Sequence, residues 1–218
     1  MYLTNRLKYF FLILVIISVF GACNSNKNSK KIKQLSIIEN NKITHSEYLK
    51  ESELLSYIYN ANIINFKPTI QKPFDTLKFN KLIAYDYEGS EEPNPSVLDE
   101  KNKFNNVILK QKYLNNEQAK FLIETLTKTS TYGESTAGCF NPHLGFLFFN
   151  NNKKVYSIDV CLDCNYLIAE SSIPAMEMKK MNKGTENEYA AIGFSKIGKS
   201  KIKKLCSQLN FFYGRKEK

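Results

Sequence analysis

Histidine is almost absent from this chain of 218 residues, with His45 and His143 the only two. Acid–base mechanisms built on imidazole would have to use one of them. The sequence has no nucleophile elbow, no phosphate-binding glycine loop and no zinc-protease helix, which excludes the commonest hydrolase and nucleotide-binding motifs. No two carboxylates stand at a spacing that defines an acid–base pair, and Glu134, Asp159 and Asp163 read as ordinary acids. No RNP-like, zinc-finger or helix-turn-helix pattern accompanies the lysines, so nucleic acid is not an expected partner. No internal repeat is visible, and no Pro/Gly-rich stretch divides the chain into comparable halves. Long apolar runs are lacking as well. Tyr9–Phe20, broken only by Ser18, falls short of the about 20 residues that a membrane-crossing helix needs. With no catalytic constellation, the expectation is a binding or accessory module rather than an enzyme.

The N-terminus carries the strongest pattern that is present. Arg6 and Lys8 make a basic start, Tyr9–Phe20 an apolar stretch, and Gly21 and Ala22 small residues before Cys23. This is the order of a secretory signal. Val19-Phe20-Gly21-Ala22-Cys23 resembles the lipobox of bacterial lipoproteins, with Phe20 where that family usually carries Leu or another aliphatic residue. The resemblance implies that residues 1–22 are a lipoprotein signal peptide and that acyl chains sit on the sulfur and amino group of Cys23. Each buried methylene contributes about 0.8 kcal/mol, and stable anchoring takes more than one chain. A multiply acylated Cys23 would hold the protein to a membrane without a spanning helix. Residues 23–34 are polar, lack aromatics and show no periodicity, so they cannot offset the entropy of ordering and read as a flexible tether. In the lipoproteins that the segment resembles, export to the cell surface in some bacteria reads acidic residues just after the lipidated cysteine, so the basic tether here implies a periplasm-facing position over the cell surface.

The 31 Lys and Arg against 21 Asp and Glu give a formal charge of +10; without Arg6 and Lys8 the balance is 29 to 21, or +8. An excess of this kind favours anionic lipid headgroups, acidic envelope polymers or an envelope protein as partners, alongside the membrane itself.

Residues 35–218 read as one α+β domain, with a mostly antiparallel sheet of four to five strands and two to three helices. Thr44-His-Ser-Glu47 has the form of a capping box and predicts a helix over about 45–60. Strands are predicted over 76–87 and 104–113, separated by a loop at 89–98. A helix over 115–127 carries an apolar stripe of Ala119, Phe121, Leu122 and Leu126, with Asn115 or Asn116 as its cap. A hairpin joins 145–149 to 154–161 across Asn150–Lys153. A final strand over 189–194 leads to Ser195, the predicted cap of a helix ending near Leu209. On that helix Ile202, Leu205, Cys206 and Leu209 form the apolar stripe, which makes Cys206 a buried, inert thiol. Lys196, Lys199 and Lys203 form its wet side.

Cys139, Cys161 and Cys164 surround the hairpin. With Asn151-Asn152 as its turn, facing residues sum to 303, so Leu147 faces Tyr156, His143 faces Val160 and Cys139 faces Cys164. Strand alternation then puts Leu147, Phe149, Tyr156, Ile158 and Val160 on one face with Cys139, His143 and Cys164, and Cys161 on the other. Three readings follow. An exported protein meets an oxidising environment, so the first is a structural disulfide, Cys139–Cys164 by register or Cys139–Cys161 if a bulge shifts it, needing no cofactor. The second is a zinc site in which Cys139, His143, Cys161 and Cys164 supply three thiolates and an imidazole. The third is thiol chemistry at Cys161-Leu-Asp-Cys164. A c-type haem is excluded, because Asn165 stands where that motif requires His. Cys139-Phe-Asn-Pro-His143, Cys161-Leu-Asp-Cys-Asn165 and Gly193-Phe-Ser195 together resemble a pattern in small uncharacterised bacterial lipoproteins. That resemblance covers the C-terminal half and implies no activity.

Overall fold

In the computed structural model, described residues are 48–65, 68, 72–89 and 96–215. The signal peptide, Cys23, the tether and the Thr44–Glu47 box lie outside them. Every described residue belongs to one unit spanning Thr44–Lys218.

Strands β1 (Lys81–Tyr87), β2 (Ile108–Tyr113), β4 (Leu144–Asn150), β5 (Lys153–Cys161) and β6 (Tyr166–Ala169) form an antiparallel sheet in the order β2-β1-β4-β5-β6. Strand β3 (Tyr132–Glu134) pairs with β9 (Gly193–Phe194), and β7 (Lys180–Met181) with β8 (Tyr189–Ala190), as two short ribbons. Helices α1 (Glu51–Asn60), α2 (Asn116–Leu126) and α3 (Lys196–Leu209) pack around the main sheet. The chain thus has the α+β architecture that its pattern implies.

The helix starts follow from side-chain chemistry. Asn115 Oδ1 accepts from Gln118 N–H at 2.9 Å, and Gln118 Oε1 accepts from Asn115 N–H at 3.1 Å, a reciprocal cap. Ser195 Oγ accepts from Gly198 N–H at 3.1 Å and donates to Ser130 O at 2.6 Å. Helix α3 stops at Asn210, which adopts the left-handed conformation (φ 57°) that asparagine tolerates. Helix α1 begins at Glu51, later than the expected 45, and Glu53 Oε2 holds the Lys50 N–H at 2.8 Å.

Both sheet faces are covered. On one, α2 and α3 supply Ala119, Leu122, Leu126, Ile202, Leu205 and Cys206 against Leu82, Ala84, Phe146, Phe148, Tyr156, Ile158 and Val160. On the other, Leu54 and Ile58 of α1 and Val97 cover Ile83, Tyr85, Tyr87, Leu147 and Phe149. A fully buried Leu or Phe contributes about 1.5–3 kcal/mol, so the central strands β1 and β4, buried from both sides, anchor the domain. Lys81 is buried on the α1 side, where its Nζ donates to Ile58 O (2.7 Å), Tyr59 O (3.1 Å) and Asn152 Oδ1 (2.8 Å). Its three ammonium protons thereby satisfy two carbonyls at the end of α1, where the helix dipole favours a cation.

The hairpin turn falls at Asn151-Asn152 as expected, but its register holds only at the tip. Asn150 faces Lys153, whereas Leu147 faces Ser157 and Phe148 faces Tyr156, because a bulge lies between Phe148 and Phe149. The extra residue turns β4 over relative to β5. Phe148, not Leu147, therefore shares a face with Tyr156, Ile158 and Val160, and Leu147 and Phe149 look toward α1. The strands expected over 76–87 and 104–113 are shorter, at Lys81–Tyr87 and Ile108–Tyr113, and residues 76–80 run from the end of a turn through irregular backbone instead. Among the described residues no helix is long and apolar enough to cross a membrane.

Candidate functional site

Strand β5 ends at Cys161, and Leu162–Asn165 turn the chain back into β6. Asn165 takes a left-handed conformation (φ 66°) that closes this turn. The four-residue reversal brings Cys161 and Cys164 together as a disulfide with a Cα–Cα distance of 5.2 Å. The bond therefore lies within the turn, and neither Cys139–Cys164 nor Cys139–Cys161 is formed. Extended strands would have separated Cys161 from Cys164 by face, and the turn removes that separation.

Cys139 is nonetheless at the site. It is exposed and carries a free thiol, and its Sγ lies 3.7 Å from Cys164 Sγ. Cys161 and Cys164 are buried, at 0% and 1% exposure. Each disulfide sulfur accepts a backbone hydrogen bond: Asn141 N–H reaches Cys164 Sγ at 3.1 Å, and Cys164 N–H reaches Cys161 Sγ at 3.0 Å. Such donors stabilise negative charge on a sulfur that leaves as a thiolate.

The surroundings fix this geometry. Ala137 N–H donates to Cys164 O at 2.9 Å, and Phe194 N–H donates to Asn165 O at 3.0 Å. Asn165 Nδ2 donates to Ser135 O at 2.9 Å. Gly193 passes so close that a Cβ there would stand 2.6 Å from both Glu134 O and Ser135 O and 2.9 Å from Asn165 Nδ2. The rings of Phe140 and Tyr166 pack at 4.8 Å. The stretches around Cys139, Cys161–Asn165 and Gly193–Phe194, separate in sequence, thus meet in one place. Tyr213, which sequence reasoning missed, sits in the C-terminal 3-10 turn, and its phenol oxygen accepts from Leu162 N–H at 3.1 Å. Burial, and then the Asp163 charge, raise the Tyr213 pKa and keep the phenol protonated. An aromatic residue near the terminus was the only signal for it.

His143 takes a different position. Its Nδ1 accepts from Gly89 N–H at 3.2 Å and lies 3.1 Å from Tyr87 O, while its ring stacks on Phe212 at 4.6 Å. Two of the expected zinc ligands are joined to each other and the imidazole is engaged elsewhere. Among the described residues no group of three or more His, Cys, Asp or Glu side chains is arranged to hold a metal ion. The residues present do not fit the four-ligand site. Cys206 is buried and free as expected; burial pushes its thiol up to about 12, with the nearby Asp86 charge adding to the rise.

The cluster offers one reaction. A Cys139 thiolate can attack Cys164 Sγ, forming the Cys139–Cys164 bond and expelling the Cys161 thiolate toward the Cys164 N–H. Comparison of the chain with protein-family models, curated proteins and solved structures gives no match.

Proposed function

We propose that the chain is an exported cell-envelope protein, anchored by lipid on Cys23 and facing the periplasm, whose α+β domain is a thiol–disulfide exchange module. The lipobox-like Val19–Cys23 segment supports the address, and the net positive charge favours anionic partners beside the membrane. The observation that carries the activity is the exposed Cys139 thiol 3.7 Å from a buried disulfide.

The reaction balances without an added oxidant. Cys139 loses its proton and bonds to Cys164 as the Cys161–Cys164 bond breaks, and Cys161 takes up a proton. The disulfide has moved to a sulfur that reaches solvent. A thiolate of a partner dithiol then attacks Cys139 Sγ and expels Cys164, and the partner's second thiolate resolves the mixed disulfide and releases Cys139. Two electrons pass from the partner to the Cys161–Cys164 pair in a single turnover.

Replacement of Cys161 by Ser tests the geometry. In oxidised glutathione the C161S protein should form a Cys139–Cys164 bridge, read by non-reducing peptide mapping. Cys164 recovered as a glutathione adduct with Cys139 unbridged would overturn the proposal.

A further inference from the structure

Helix α1 and the segment around Leu98–Phe104 do not fully cover their side of the sheet. Between them lies a cleft of about 420 Å³, within the roughly 300–1,000 Å³ typical of small-molecule sites. Leu147 and Phe149 of β4 line it together with Leu55 and Ile58 of α1 and Phe104. The bulge opposite Phe148/Phe149 leaves Leu147 and Phe149 on this side and puts Tyr156, Ile158 and Val160 on the other. Leu55 is 43% exposed, so the apolar wall continues to the opening.

The polar lining has one character. It consists of Asn102, Asn152, Lys153 and Lys154, and among the described residues no carboxylate lines the cleft. Lys154 is paired with Glu170, whereas Lys153 is exposed and makes no ion pair among the described residues. Asn152 Oδ1 is occupied by the buried Lys81 ammonium, which leaves the Asn152 amide as a donor. A hydrocarbon wall with a cationic, donor-bearing rim matches a molecule with one apolar chain and one anionic end.

We propose that this cleft binds a straight-chain fatty acid, with the alkyl chain against Leu147, Phe149 and Leu55 and the carboxylate at Lys153. The site is separate from the cysteines, and its occupancy does not depend on thiol exchange.

Titration calorimetry of the full-length protein with dodecanoate, below its micelle concentration, tests the assignment. Dodecyltrimethylammonium, with the same chain and the opposite charge, and butyrate, with the same head and little chain, are the controls. Dodecanoate should bind at one site, each control at least about tenfold more weakly, and the exposed substitutions L55D and K153E should each weaken dodecanoate by about tenfold. K153E should also narrow the preference over the cationic amphiphile. Absence of dodecanoate binding, equal affinity for the two amphiphiles, or binding unchanged in both variants would overturn the proposal. Circular dichroism of the two variants separates loss of the site from loss of the fold.

Discussion

Asp159 of β5 should make the domain less stable at neutral pH than it would be without that charge. Its Oδ1 accepts from Tyr87 O–H at 2.7 Å and lies 3.4 Å from Val97 N, beneath Val97 and beside Gly145, where a Cβ would collide with Val97. Burial is the largest influence and raises its pKa from 3.8 to about 6, against the smaller lowering effect of the Tyr87 hydrogen bond. The folded state therefore holds the proton more tightly than the unfolded chain. Stability contributed by this group is fully present below about 3.8, is lost as the pH rises through the window from about 3.8 to about 6, and is constant above it. A rise of this size corresponds to about 3 kcal/mol. Asp159→Asn keeps an acceptor for Tyr87 and removes the titration. The stability of D159N should therefore exceed that of the wild type at pH 7.5, and the gap should widen by about 3 kcal/mol between pH 3.5 and pH 7.5. Urea denaturation followed by far-UV circular dichroism at several pH values measures it, and comparing the two proteins cancels the other carboxylates, Asp86 among them. A gap that stays constant with pH, or narrows as pH rises, would mean that the folded state holds the Asp159 proton no more tightly than the unfolded chain.

Lys81→Met should cost about 2–4 kcal/mol in the same assay, because Ile58 O and Tyr59 O lose a charged donor at the end of α1; a loss under about 0.5 kcal/mol would show that water replaces the ammonium without penalty. Iodoacetamide added to the native protein should modify Cys139 and leave Cys206 untouched until denaturant is present, since the one thiol is exposed and the other is buried with a raised pKa. Peptide-resolved mass spectrometry checks this, and native labelling of Cys206 would contradict the packing of α3. Labelled palmitate should enter the wild-type chain expressed in a bacterial host and fail to enter Cys23→Ala; equal incorporation in both would defeat the lipid anchor.

Elements whose ends are set by local chemistry were legible in the sequence. Asn115 and Ser195 cap their helices through their own side chains, and Asn151-Asn152 form the hairpin turn with positive φ. The Ile202–Cys206–Leu209 stripe needed only helical spacing. The bulge did not announce itself: its extra residue is Val155 of β5, and the β4 residues opposite, buried from Leu144 to Phe149, have no apolar–polar alternation against which to check the register. One unread extra residue then carried the face assignments of β4 astray. The Cys161–Cys164 bond escaped for a related reason: it depends on where β5 stops, and the end of a strand is set by the turn that Asn165 closes. Cys139 was placed beside Cys164 by extending a ladder that ends at Leu144, so the meeting of the two sulfurs comes from the loop and its hydrogen bonds rather than from strand pairing. The fatty-acid cleft had no sequence signature, since Leu55, Phe104 and Leu147 approach only through tertiary packing.

In the proposed exchange, thiols in solution reach the buried disulfide through Cys139. The direct measurement is the rate and position of glutathione attachment when the disulfide form of the protein is mixed with reduced glutathione, quenched with acid and mapped without reduction. The adduct should appear on Cys139, and Cys139→Ser should slow attachment by about tenfold or more, because attack on Cys161 or Cys164 must then await opening of the hydrogen-bonded turn. Adducts on Cys161 or Cys164 formed at the same rate in wild type and C139S would show that thiols reach the disulfide without Cys139.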